Sequence, residues 1–178
     1  GGKLFPSHAE HYLASCWAQA LTEAAYIAKT LNDRRLAAKC DRESMTVRTI
    51  LHNTFRNDDT GFYNFSKNRD SSFRTEKTVL PAVGMYFDCA DDDFSHRSLS
   101  EYASNTFSTD WGVRIIGMDD PLFDPSGYHY GSAWPLFTGW TSLAEFRMHR
   151  PLQGFIHLLT NALLFDQFSA GCTEEVLH

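Results

Sequence analysis

HAEHYLASCWAQALTEAAYIAKTLND, residues 8–33, is the stretch that decides the fold. Its apolar positions Leu13, Trp17, Ala20, Ala24, Ile27 and Leu31 recur every three or four residues. That spacing gathers them on one stripe of an α-helix, which is expected to face the core with Trp17 embedded in it. Ser7 reads as the N-cap, with Glu10 three residues on as its capping-box partner. A second helix follows a very short break, with Asp33 as its cap and Leu36, Cys40, Val47, Leu51 and Phe55 as its stripe. Two helices joined so briefly are expected to fold back as an antiparallel hairpin.

The same alternation of stripes and breaks continues. Residues 56–76, rich in Gly, Asn, Asp and Ser, read as a long surface loop with a short hairpin around 62–65. A third helix is expected over about 77–89, with Pro81 in its first turn. Ser95 reads as the cap of a fourth, with Leu99, Tyr102, Ala103 and Phe107 inward. After a second irregular segment at 109–131, a fifth helix is expected over about 132–148, carrying Trp140 into the core. A sixth starts at Pro151, with Phe155, Leu158, Leu159, Ala162 and Phe165 as its buried stripe. The expectation is an all-α chain of helical hairpins, one unit over residues 1–178, with no strand pattern long enough for a sheet.

Composition narrows the function. The 178 residues are 43% hydrophobic and 21% charged, as in an ordinary globular domain. A net charge of −6 disfavours nucleic acid or an anionic membrane as partner. No apolar run approaches the roughly 20 residues that crossing a bilayer needs, and the first twelve residues hold no signal-like apolar core. Cys16, Cys40, Cys89 and Cys172 lie far apart without a CxxC pair, so they read as reduced core thiols in a cytosolic setting. His8 and His11 have ligand-like spacing but no completing carboxylate or thiol, and read as ordinary polar residues of a helix start.

The loops carry the chemistry. Asp110-Trp111-Gly112-Val113-Arg114, Tyr128-His129-Tyr130-Gly131-Ser132-Ala133-Trp134-Pro135 and Gly171-Cys172-Thr173-Glu174-Glu175-Val176 occur in that order, each outside a helical stripe. Together they resemble motifs of the C-terminal half of the (α/α)6-barrel catalytic domain of amylo-α-1,6-glucosidases and related glycogen-debranching-type enzymes. The processing α-glucosidase I and mannosylglycerate hydrolase group is similar. The resemblance extends over nearly the whole chain in helix and loop order. It implies an inverting glycosidase acting on α-glucosidic or related linkages in oligo- or polysaccharides, without metal or organic cofactor. It also implies that three hairpins stand here for six, and that the general acid lies in an upstream half of the same polypeptide or in an associated chain. Relatives continue beyond the point where this sequence stops.

An inverting glycosidase sets two carboxyl groups roughly 6.5–9.5 Å apart, one protonating the leaving oxygen and the other activating water. The resemblance places the base at Glu175. Glu174 occupies a position where relatives usually have proline, and is the fallback. Trp111 and Trp134 offer flat apolar faces for sugar C–H groups, or else serve as core. Arg114, Tyr128 and His129 are candidate donors to sugar hydroxyls, although Arg114 has the alternative of a structural pair with Asp110 or Asp119. Asp119, Asp120 and Asp124 read as loop acids, and Glu145 as an exposed residue without a role. The rival class is a non-catalytic saccharide-binding or structural helical module that keeps the same aromatic cleft.

Overall fold

A computed structural model describes residues 8–167 and 173–177, leaving the proposed cap Ser7 and the residues Gly171 and Cys172 outside the described part. Helix α1 (His11–Thr30) ends where Asn32 adopts a left-handed conformation, φ 61°, a region that asparagine tolerates better than most residues. Asp33 then caps α2 (Arg34–Thr54), its carboxylate accepting the Leu36 N–H at 2.9 Å. The two helices lie antiparallel, and Ser44 of α2 donates to the Ala18 carbonyl of α1 at 2.8 Å.

The face that α1 buries is not the one its large residues mark. Leu13 is 64% exposed, Trp17 56% and Leu31 74%, while Ala20 and Ile27 are exposed beside them. The buried face is His11, Ser15, Ala18, Leu21, Ala25 and Ala28. Small side chains let the neighbouring helices approach closely, and close packing sets the interior. Helix α6 repeats the inversion: Phe155, Leu158, Leu159, Ala162 and Phe165 face outward, and Gly154, His157 and Leu164 face in. On α2 the expectation holds for Cys40, Leu51 and Phe55, while Leu36 is exposed. His11 is no surface polar residue but fully buried.

The segment expected as a surface loop turns into small antiparallel ladders. β1 (Ala9–Glu10), β4 (Ser66–Lys67) and β5 (Phe73–Arg74) form one, paired Glu10↔Ser66 and Lys67↔Phe73. β2 (Arg56–Asn57) and β3 (Phe62–Tyr63) form a hairpin. Phe62 and Tyr63 of the hairpin and Phe65 just after it are buried, so this segment is core as much as surface. Glu10 is the N-cap of α1 but makes no side-chain cap bond.

The third helix is shorter than expected. Thr78 and Val79 are extended against Ile116 and Ile115, and α3 spans only Ala82–Tyr86. A Cβ on Gly84 would lie 2.3 Å from His11 Cε1, so glycine is what lets α3 reach α1. Asp91, not Ser95, caps α4 (Asp92–Tyr102), accepting from Asp93 N and Phe94 N. Leu99, Tyr102 and Phe107 are buried as expected. β6 (Ser108–Thr109) and β7 (Gly112–Val113) precede α5 (Pro135–Arg147) and α6 (Pro151–Phe165). Helix α5 starts three residues late because Ser132 and Ala133 are extended and paired. Trp140 is half-buried between Tyr86 and Phe87.

Three helical pairs result. α3 packs on both α1 and α5, and α4 on both α3 and α5, while α2 and α6 cover α1 and α5. One cluster that includes Ala18, Leu51, Val83, Leu99, Phe107, Ile116 and Phe137 runs from α1 to α5.

Candidate active site

The first motif is a tight hairpin. Thr109 Oγ1 donates to the Gly112 carbonyl at 2.9 Å and accepts the Trp111 N–H at 3.0 Å, tying off the turn that carries Asp110 and Trp111. Gly112 has φ +136°, and a Cβ there would lie 2.4 Å from Thr138 Oγ1. That hydroxyl accepts the Val113 N–H at 2.8 Å and donates to the Trp134 carbonyl at 2.8 Å. The first motif is thereby hooked to the start of α5.

The second motif is equally constrained. A Cβ on Gly131 would meet the Asp124 carbonyl at 2.3 Å, so the loop closes only over glycine. The Tyr128 carbonyl accepts from Ser132 Oγ at 2.5 Å and from Trp134 Nε1 at 3.1 Å. His129 stacks on Trp134, centroids 5.4 Å apart and planes 9° apart.

The third motif joins through Leu177, which exchanges two backbone hydrogen bonds of 2.9 Å with Ala133. Ala133 is also bridged to Arg114. Arg114 and Ala133 of the first two motifs and Leu177, the residue after the third, therefore stand in a single ladder although they span 64 positions of sequence.

Two open cavities flank this junction. One, of about 350 Å³, is bordered by Asp110, Trp111, Arg114, Phe123 and Leu177. The other, of about 470 Å³, is bordered by Trp134, Leu136, Asn161, Glu174 and Glu175. The predicted residues thus fall into two groups, Trp111 with Arg114 and Trp134 with the glutamates. Trp111 is 43% exposed and free to present its face, whereas Trp134 is 7% exposed, with its N–H donated inward. Tyr128 and His129 are exposed on the loop between. The nearby Glu175 carboxylate pushes the pKa of the Tyr128 hydroxyl up.

Arg114 pairs with neither of its expected partners among the described residues. Its Nη1 donates to the Asn105 and Ser108 carbonyls at 3.3 and 3.2 Å, and partial burial pulls its pKa down. Asp119 pairs instead with Lys77 at 2.7 Å. Asp120 and Asp124 accept local backbone N–H groups, as loop acids do.

Sequence reasoning missed Glu145. It is fully buried near the C-terminal end of α5, with its Oε2 2.5 Å from Arg150 Nε, and burial pushes its pKa up. His157 of α6 meets Ser108 Oγ at 3.2 Å and so braces β6. The available signal was Arg150, five residues after Glu145 across the turn between α5 and α6.

The family model for the mannosylglycerate hydrolase MGH1-like glycoside hydrolase domain matches residues 8–158. Among solved structures, a protein described as a sialidase superposes with a TM-score of 0.81 at 17% identity, over 99% of this chain and 17% of its own. The GH63 mannosylglycerate hydrolase of Thermus thermophilus in complex with glucose gives a TM-score of 0.75 at 11% identity, over 89% of this chain and 39% of its own. An uncharacterized conserved protein from the same organism gives 0.78 at 12%, over 94% and 40%. No curated protein sequence matches the chain. At these identities the structural likeness establishes the fold, part of a helical toroid, and the chain spans about two fifths of the Thermus structures' length.

Proposed function

Because this chain belongs to the mannosylglycerate hydrolase MGH1-like glycoside hydrolase domain family, we propose that it forms part of a glycosidase that cleaves α-glycosidic bonds with inversion. Glu175 is the base that activates water. The acid comes from the part of the toroid that this chain does not supply. The substrate is an α-glucoside or a related α-glycoside of the mannosylglycerate kind, in oligo- or polysaccharide or small-glycoside form.

One observation carries the reading: segments distant in sequence meet at the ladder of Arg114, Ala133 and Leu177, and Glu175, two residues before Leu177, borders the same cavity as Trp134. A base needs a fixed carboxylate next to open space where water and sugar fit, and the 470 Å³ cavity provides that space. Trp111 then offers its exposed face to a neighbouring sugar unit, and Arg114 holds that hairpin by its carbonyls.

The test is hydrolysis by the complete enzyme of mannosylglycerate and of maltose, followed by proton NMR so that the first-formed anomer is seen. Inversion yields the β-anomer from an α-linkage. Glu175→Gln should lower kcat by about 10²–10⁴-fold. Full activity of that variant would sink the assignment, and transfer of the loss to Glu174→Gln would move it by one residue. Sugar binding without turnover would favour a non-catalytic module.

A further inference from the structure

Trp111 sits in the turn of a two-stranded hairpin, and each strand is tied to a different helix of the last pair. Thr138 of α5 accepts the N–H of Val113 on β7 at 2.8 Å. His157 of α6 meets Ser108 Oγ on β6 at 3.2 Å. Ser108 and Val113 are paired across the hairpin, so both anchors hold the same rung at its base. Ser108 also fixes the direction of the His157 bond. Its hydroxyl has one proton, which it donates to the Tyr102 carbonyl at 2.8 Å. Toward His157 it therefore accepts, and the imidazole carries its proton on Nε2. Nδ1 is buried and meets no hydrogen-bond partner among the described residues, so nothing there would hold a second proton. The ring, 4% exposed, is a neutral single donor aimed at β6.

We infer that His157 is a positioning residue for sugar binding: by donating to Ser108 it fixes the base of the hairpin, and with it the angle at which Trp111 presents its face. This rests on the reading of Trp111 as a sugar platform. Being buried, His157 acts only through Ser108. One anchored strand leaves the hairpin free to pivot, whereas two anchors on one rung set its orientation. Stacking on a pyranose depends on that orientation. Trp111 borders the cavity of about 350 Å³ and Glu175 borders the other. Loss of the His157 anchor should therefore weaken binding and leave the chemical step alone.

The test compares variants of the complete enzyme with maltose, whose second glucose supplies the unit for Trp111. His157→Gln keeps an N–H near the Nε2 position, while His157→Leu keeps bulk without the donor. His157→Leu should raise KM about tenfold with kcat within about twofold, and His157→Gln should keep KM within about twofold of the wild type. Ser108→Ala removes the acceptor instead and should give the same KM rise, which decides the matter should His157→Leu not fold. In a Trp111→Ala background, where KM is already raised, His157→Leu should have no further effect, because coupled residues are not additive. Without sugar, amide exchange at Trp111 and Gly112 should quicken in His157→Leu and not in His157→Gln. An unchanged KM in His157→Leu or Ser108→Ala, an equal loss in His157→Leu and His157→Gln, or a fall in kcat at constant KM would overturn the inference. An unchanged KM in Trp111→Ala, or no binding of maltose by the wild type, is a different outcome, which removes the reading of Trp111 and this inference with it.

Discussion

His11 and His157 enter the folded chain uncharged, and that makes stability depend on acid. Burial first and the nearby His52 second push His11 down to about 3, against an opposing pull from the Cys89 backbone. Burial first and Arg150 second push His157 down to about 4. The unfolded chain takes up these protons near ~6.5, so it binds more protons than the native state at every pH between. The stability they contribute is therefore complete above about pH 6.5 and is lost as pH falls toward 4 and then 3. His157 alone should contribute up to about 3 kcal/mol of that loss. Urea midpoints measured from pH 7 to pH 4 should fall steeply in the wild type and less steeply in His157→Gln. Equal slopes would show that His157 is not buried neutral. A second residue-scale prediction concerns Arg150: Arg150→Met leaves the Glu145 carboxylate buried without its partner, and should cost about 3 kcal/mol in the same urea assay. Neither His157 nor Glu145 was legible as buried. Helices α5 and α6 are apolar almost all round, and against such a background a polar residue reads as the exposed side.

Elements were more legible than residues where a local chemical signal ends a helix. Asp33 caps α2 and Pro151 opens α6 as expected, because both act through the backbone of the first turn. Signals that depend on a partner distant in sequence were not legible. Residues 77–81 were expected as the start of a helix, yet the pairing of Thr78 and Val79 with Ile116 and Ile115 keeps them extended. The same dependence supplies a test. Thr138 serves both Val113 N–H and the Trp134 carbonyl, so Thr138→Val leaves a buried N–H without a partner and should cost about 1–3 kcal/mol. It should also loosen the hairpin that carries Trp111, seen as faster amide exchange at residues 109–113. Unaltered exchange would mean that Thr109 and Arg114 hold the hairpin without Thr138. Gly84→Ala should be worse tolerated than a typical surface change, by about 2 kcal/mol, since α3 must then move off His11 and Ser15.

For the whole molecule, periodicity finds a helix but carries no sign for which face is inside. Helix α1 has two usable stripes, one of small residues and one of large, and the small one is buried because it admits close neighbours. The large one, with Leu13, Trp17 and Ile27, lies at one end of the row α1–α3–α5. At the other end, Leu136, Leu143 and Phe146 of α5 and Leu158 of α6 border an open apolar groove. Folded proteins seldom leave contiguous apolar patches of this kind to water. We propose that both ends are seams on which the remaining hairpins of the toroid close. The three motifs made the toroid legible through their resemblance to a family, while the seams became visible only when the helices were placed. Residues 1–178 expressed alone should then self-associate and bind a hydrophobic dye. Trp17→Glu combined with Leu143→Glu should raise the monomer fraction in light scattering without loss of helical circular dichroism, since both residues are exposed. In the complete enzyme the same pair should instead destabilise, because each charge would be buried in a closed seam. Opposite signs in the two settings are the signature of a seam. The same sign in both would place these faces in water and leave the toroid to be completed elsewhere.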